Sequence, residues 1–342
     1  MKKILFILGI FGFILLLNAD KVAVFPGLAA PAYLVADGGQ IIISDYPFVY
    51  LYSLNDYGLL KKMGGEGMGP GEFYIRRDNM NLKERGLVIS ICPGHIAVNS
   101  MSRLSFFTRK GDFKNEVRIP YGINAKFLSL GEKLLGFLPG NGKLSVILFD
   151  FKLNKQKEIF KCNYWFNLSR SKTANFFDRA ADTLLVSIHD KKIFFARGDA
   201  PSIAIDVFDF DGNKRYTVKH KSEKVEIPQR FIQKIHQHFK VKFRGYDDYF
   251  LKELNLPEYF PGIRHFAAAG NKIYVFTFKK LQDKNEVIIF DIKGNFLKKT
   301  FLPAREENPE RLYPFSFYKN RFYQLIENEE NENWELHVVD VK

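Results

Sequence analysis

Cysteine is nearly absent from this chain: its 342 residues carry only Cys92 and Cys162. Two thiols make no disulfide framework, so the core must hold the fold, and two separate buried thiols are expected. Local catalytic and metal-binding signatures are missing as well. The seven histidines include no H-x-x-x-H or H-E-x-x-H pair, and His236 and His238 stand two apart in a presumed helix, on different faces. There is no G-x-S-x-G nucleophile elbow and no Walker Lys-Ser/Thr, which removes the locally encoded serine hydrolases and P-loop enzymes. No metal ligand set and no cofactor are therefore expected. A site assembled from distant segments leaves no such local trace and stays open.

Acidic residues are also in short supply. Lys and Arg total 51 against 38 Asp and Glu, a formal net charge of +13. Near the N-terminus, Lys2 and Lys3 precede a fourteen-residue run of apolar residues and Gly, Ile4–Leu17, followed by Asn18-Ala19-Asp20. That length suits the apolar region of a signal peptide, whereas a spanning helix needs roughly 20 residues. Residues 1–19 are read as a signal peptide cut after Ala19, with an uncleaved membrane anchor as the alternative. No Cys stands near residue 20, which excludes a lipid-modified cysteine there. The mature chain, 20–342, is expected to be exported and periplasmic or extracellular. Nucleic acid is then not an expected partner, and no nucleic-acid motif is present.

Aromatic residues, by contrast, are abundant: 35 Phe and 16 Tyr favour strands over helices. Many sit in a short phrase that returns six times, as YSLNDYG (52–58), FTRKGDF (107–113), FDFKLNK (149–155), FDFDGNK (208–214), FDIKGNF (290–296) and the truncated VDVK (339–342). Each reads as the turn between the third and fourth strands of a four-stranded meander. Gly58, Gly111, Gly212 and Gly294 are expected to supply the positive φ of that turn, and Asn154 to do so in the third copy. Blade-sized recurrence predicts an all-β, six-bladed β-propeller with a small helical insertion. Ile41-Ile42-Ile43, Ile193-Phe194-Phe195 and Ile273-Tyr274-Val275-Phe276 do not alternate polar and apolar, as strands buried on both faces do. The segments after each phrase are polar and basic, which suits a solvated rim. The sixth unit, 314–340, is one strand short, and Lys21–Phe25 is predicted to complete it and close the ring.

From Phe208 to Phe290 is 82 residues, too long for one blade. The surplus, 227–256, predicts the helical insertion between blades 4 and 5. Pro228 suits a first turn, Phe231, Ile232, Ile235 and Phe239 share one face, and Gly245 can end the helix.

The phrase GGEGMGPGEF (64–73) has the glycines of a phosphate cradle but not its charge. Glu66 and Glu72 repel phosphate and no helix follows, so it reads as a structural loop between blades. It resembles the G-x-G-x-GPGEF phrase of exported bacterial six-bladed β-propellers related to NHL repeats. The signal segment and the helical insertion before Pro261-Gly262-Ile263 extend the likeness over residues 21–342. The other units lack the phrase. The resemblance implies the fold and no activity or cofactor.

Two sets of residues are candidates for binding. Innermost strands of a propeller face the central channel, and ligands bind at one mouth. Arg76, Arg77 and Asp78 lead into the second unit, Asp178 and Arg179 into the fourth, Arg264 and His265 into the fifth, and Tyr313 into the sixth. Several arginines at one funnel favour a small anionic ligand or carboxylate, and ion pairing with Asp78 and Asp178 is the competing reading. Separately, residues 213–244 carry ten Lys or Arg against Glu223 and Glu226, a segment charge of +8. Lys234, Lys240, Lys242 and Arg244, interleaved with Phe231, Phe239 and Phe243, would meet an anionic membrane, a polyanion or an acidic partner. The competing reading is a helix whose charged face is only solvated. The expected function is an exported, monomeric, non-catalytic binding or scaffold propeller for an unknown small molecule or protein. Its alternatives are a propeller hydrolase or lyase with an axial site, and an envelope assembly component using the basic insertion.

Overall fold

The computed structural model describes residues 19–74, 87–122, 125–141, 143–163, 185–196, 202–242, 258–309 and 311–341. The apolar run at 4–17 lies outside the described residues. Among the described residues, six antiparallel sheets of four strands make up the fold. Blades 1 to 5 are the meanders β2–β5 (33–64), β6–β9 (88–118), β10–β13 (126–163), β14–β17 (185–220) and β18–β21 (265–302). Blade 6 combines β22–β24 (315–340) with β1 (Asp20–Phe25) as its outermost strand. In that sheet Phe25 lies opposite Trp334 and Lys21 opposite His337. The first strand of the chain thus closes the ring against the last, as the short sixth unit requires.

Closure is equally visible in the core. Six clusters of buried side chains fill the interfaces, one for each successive pair of blades including 6 and 1. The second strand of each blade feeds two of them. In β3 (Gln40–Asp45), Ile41 and Ile43 pack toward blade 6 and Ile42 toward blade 2, none with exposed surface. In β15 (Lys192–Ala196), Phe194 packs toward blade 5 while Ile193 and Phe195 pack toward blade 3. Such strands cannot alternate because both their faces are interior, and each buried side chain stabilises by about 1.5–3 kcal/mol. The outermost strands β5 (Leu59–Gly64) and β9 (Phe113–Arg118) are mostly exposed.

In blades 1 to 5 the recurring phrase builds the turn before the outermost strand. In blades 3, 4 and 5 the carboxylates of Asp150, Asp209 and Asp291 accept the backbone N–H groups two and four residues ahead at 2.8–2.9 Å. The side chains of Asn154, Asn213 and Asn295 donate back to the same carboxylates at 2.8–3.2 Å. This bracket closes a turn whose last residue is left-handed. Gly111, Gly212 and Gly294 take that position, with φ of 89°, 71° and 94°. Gly58 and Asn154 do not: Tyr57 (φ 59°) and Leu153 (φ 64°) are left-handed in their place. In blade 3 the bracket between Asp150 and Asn154 forces the preceding residue left-handed whatever its type. In blade 1 the turn is one residue longer, closed by Tyr57 N–H on the Ser53 carbonyl at 3.0 Å. Glycine at 212 also makes room for the neighbouring blade, since a Cβ there would lie 2.3 Å from Ile159 Cγ2.

Between blades 4 and 5, helix α1 (Gln229–Lys242) stands on a clasp of two backbone hydrogen bonds. Ile227 donates to Glu258 at 3.0 Å and Phe260 to Val225 at 2.8 Å. Ile235 is fully buried, and Phe231 meets Phe260 edge-on at 4.8 Å. Phe260 in turn stacks on Phe278 of β19 (Lys272–Leu281) at 4.2 Å, which ties the helix to blade 5. The Phe239 side chain and residues 243–257 lie outside the described residues.

In the glycine-rich loop Phe73 is fully buried beside Phe107, and Glu72 accepts the Gly69 N–H at 2.7 Å. Arg103 donates to the Met68 carbonyl at 2.7 Å. These contacts tie the loop to itself and to blade 2. No disulfide joins Cys92 and Cys162.

Candidate functional site

Of the residues expected at the channel mouth, Arg264, His265 and Tyr313 are described; Arg76, Arg77, Asp78, Asp178 and Arg179 lie outside the described residues. The three stand where the inner strands of blades 5 and 6 begin, β18 (His265–Ala269) and β22 (Phe315–Tyr318). The Arg264 side chain is only 3% exposed, and its Nη1 donates to Glu306 Oε1 at 2.5 Å and Asn285 Oδ1 at 3.2 Å. Lys280 Nζ reaches the same Glu306 oxygen at 2.6 Å. Burial pushes the Glu306 carboxyl up, but Arg264 and Lys280 together hold it below its ordinary pKa. The partner of Arg264 is therefore Glu306, a residue that the sequence does not single out.

The His265 ring is half-buried and edge-on to Phe315 at 6.0 Å. Its Nε2 is shut off from solvent without a hydrogen-bond partner. Burial, with the Arg264 cation beside it, pushes its pKa down to about 3. At neutral pH this imidazole is uncharged and a very weak base. Tyr313 is half-buried and edge-on to Trp334 at 5.8 Å; burial and then Glu327, Glu307 and Glu329 raise its phenol. Gln324 stitches the connecting loop by donating to the carbonyls of Arg305 at 2.9 Å and Tyr313 at 3.3 Å. The structure brings these groups together chiefly as supports of the junction between blades 5 and 6.

The basic segment is less uniform than its composition. Lys214 pairs with Asp206 at 2.7 Å, Arg215 with Asp209 at 2.5 Å, and Glu223 with Lys279 of blade 5. On α1, Arg230, Lys234 and Lys240 are exposed and have no ion-pair partner among the described residues. The helix contains no acidic residue. Arg230 and Lys234 are four apart, and like charges at that spacing oppose a helix by about 0.2–0.5 kcal/mol. Arg230 also lies in the first turn, where the helix dipole disfavours a cation. The Lys242 side chain and Arg244 lie outside the described residues.

No protein-family model and no curated protein matches the chain. Among solved structures, it is similar to the Pan2 WD40 domain of Neurospora crassa at 9% identity and a TM-score of 0.45, covering 95% of this chain and 96% of that one. It is also similar to a nidogen/laminin complex at 8% identity and a TM-score of 0.43, covering 84% and 85%. Kuenenia stuttgartiensis hydrazine synthase follows at 12% and 0.39, covering 87% and 77%. Likenesses this distant carry nothing about chemistry, and the ring stands on its own strand pairing.

Two arrangements have no signal in the sequence. His95 Nε2 lies 2.7 Å from Ser129 Oγ, joining β7 (His95–Ser100) of blade 2 to β10 (Lys126–Ser129) of blade 3. This is the spacing of a nucleophile and its base, but Ser129 is 1% exposed and its Oγ also accepts the Gly131 N–H at 3.3 Å. Burial, then Lys114, lowers the His95 pKa. The pair staples two blades. The second arrangement is a cleft of about 470 Å³ between blades 6 and 1, lined by Tyr318, Lys319, Arg321, Tyr323 and Asp340 with Leu54 and Asn55. Among the described residues, no three His, Cys, Asp or Glu side chains gather as a metal site, and no helix is long and apolar enough to cross a membrane.

Proposed function

We propose that this chain is an exported, non-catalytic binding propeller related to the NHL-repeat kind, and that it holds an anionic partner on the exposed face of α1. The observation that carries the reading is a helix without one acidic residue, presenting Arg230, Lys234 and Lys240 to solvent. Packing of Phe231 and Ile235 keeps it in place while its charges work against it. An anion docked across those charges removes the repulsion. The channel mouth supports the non-catalytic part: Arg264 is committed to Glu306, and His265 is too weak a base at neutral pH to move a proton.

Attraction between exposed charges is screened over about 8 Å at physiological salt, so binding falls steeply as salt rises. The test is elution from a heparin column, with the triple variant Arg230→Glu, Lys234→Glu, Lys240→Glu beside the parent. The variant is expected to elute at much lower salt with an unchanged thermal midpoint, because solvated charges contribute little to stability. Co-elution of a folded variant with the parent refutes the docking face. The competing reading is a hydrolase, for which Ser129 and His95 are the best-placed pair. Ester hydrolysis by the parent that disappears in Ser129→Ala would replace our reading.

A further inference from the structure

The cleft between blades 6 and 1 lies at the other end of the inner strands from Arg264, His265 and Tyr313. β22 starts beside His265 at Phe315 and ends on the cleft at Tyr318. The cleft wall is the turn that follows, where Lys319 and Asn320 are both left-handed, with φ of 48° and 60°. Glycine adopts that conformation without strain, whereas lysine pays for it in backbone energy. The lysine sets an ammonium at the cleft. Asn320 is anchored beside it, taking Lys272 Nζ at 2.9 Å and the Val341 N–H at 2.7 Å. Arg321 Nε donates to Asp340 Oδ1 at 2.8 Å, and the Tyr323 phenol lines the cleft beside it. This pair leaves Arg321 donors to spare, because Arg carries five. Lys319 Nζ lies 5.4 Å over the Tyr318 ring, and Asn55 lines the cleft from blade 1.

We infer that this cleft binds a hydroxylated ring bearing a single carboxylate, an acidic sugar unit. Lys319 and Arg321 against Asp340 leave one net positive charge, which matches a monoanion rather than a phosphate dianion. Arg321 offers the planar donor edge that carboxylates prefer, with Lys319 as a second, mobile cation. Asp340 and Asn55 then meet ring hydroxyls as acceptor and donor, which a purely cationic pocket does not provide. Tyr318 supplies a flat apolar face for the C–H side of the ring. The volume, about 470 Å³, falls in the range of small-molecule sites. None of this depends on the charged face of α1.

The test is calorimetric titration with galacturonate, with neutral galactose and inorganic sulfate as controls. Saturable binding of galacturonate is expected, unmatched by galactose and not displaced by equimolar sulfate. Arg321→Gln and Lys319→Gly are each expected to weaken it about tenfold or more. Lys319→Gly relaxes the left-handed turn, so its thermal midpoint should equal or exceed the parent's, and its lost binding cannot be ascribed to unfolding. The Arg230→Glu, Lys234→Glu, Lys240→Glu protein should bind galacturonate like the parent, which separates this site from the helix. The inference is overturned by absence of galacturonate binding, by equal binding of galactose, by competition from sulfate, or by full binding in both cleft variants.

Discussion

His265 makes the junction of blades 5 and 6 acid-sensitive by a calculable amount. Burial and the Arg264 cation take its pKa from 6.5 to about 3, with Nε2 left unpartnered. An unfolded chain carries an ordinary imidazole that takes a proton as pH falls through about 6.5, and the folded chain refuses one until about 3. The unfolded state therefore holds more protons across that window, and stability rises with pH there. The contribution is complete above the unfolded pKa and is lost as pH falls toward the folded one. At about pH 4.5 the loss is about 2–3 kcal/mol, from about 1.4 kcal/mol per pH unit. His265→Phe keeps a ring against Phe315 and removes the unpartnered nitrogen, so at pH 7 it should be as stable as the parent or more so. Urea unfolding of both proteins at neutral pH and at about pH 4.5 cancels the titration of the other groups. The parent should lose about 2–3 kcal/mol more than the variant on acidification. Parallel losses refute the reasoning, as does a His265 imidazole signal in the folded protein that titrates near its ordinary pKa.

Other substitutions test the turn and the buried pair. Gly212→Ala puts a methyl 2.3 Å from Ile159 Cγ2 at φ 71° and should lower stability by about 2–4 kcal/mol. Gly27→Ala, at φ 85° with nothing within 4 Å, should cost only the backbone part, about 1–2 kcal/mol, and thermal unfolding of the two side by side isolates the contact. Glu306→Gln strands the Arg264 charge, 3% exposed, and should cost about 3–5 kcal/mol in urea unfolding. Arg264→Met leaves Glu306 with Lys280 and should cost clearly less; the reverse order would show that the pair is not organised around a buried cation.

The periodic part of this fold is legible in the sequence because it is local. The bracket between Asp209 and Asn213 spans five residues, and its copies mark the last turn of blades 3, 4 and 5. The doubly buried strands are legible for the same reason, as runs such as Ile41-Ile42-Ile43. Residue type misleads where register decides: aligned copies place Leu153 at the position of Gly212 and Gly294, yet Asn154 looks like the natural left-handed residue. What no local rule reaches is the meeting of distant segments. Glu306 is 42 residues from Arg264, Ser129 is 34 from His95, and the cleft joins residues 54–55 to 318–340. Blade geometry sets those distances, and a single chain does not display it as spacing.

The net charge of +13 divides in the same way once the blades are in place. Some cations are fixed across blade interfaces: Lys61 on Asp112 and Arg109 on Asp37 between blades 1 and 2, and Lys133 on Asp211 between blades 3 and 4. Exposed pairs of this kind stabilise by only about 0–1 kcal/mol each, so their effect is to favour one alignment of neighbouring blades over another. Arg264 does the same work in a drier place, where losing its partner is expensive. The partners of these cations are carboxylates of the ring itself. The cations proposed to meet an anion are ones that no interface between blades holds: those on the outer face of α1, and Lys319 and Arg321 at the cleft between blades 6 and 1. Reversing charge at these positions should change binding and leave the ring intact, whereas reversing it at Arg109 or Lys133 should disturb blade alignment first.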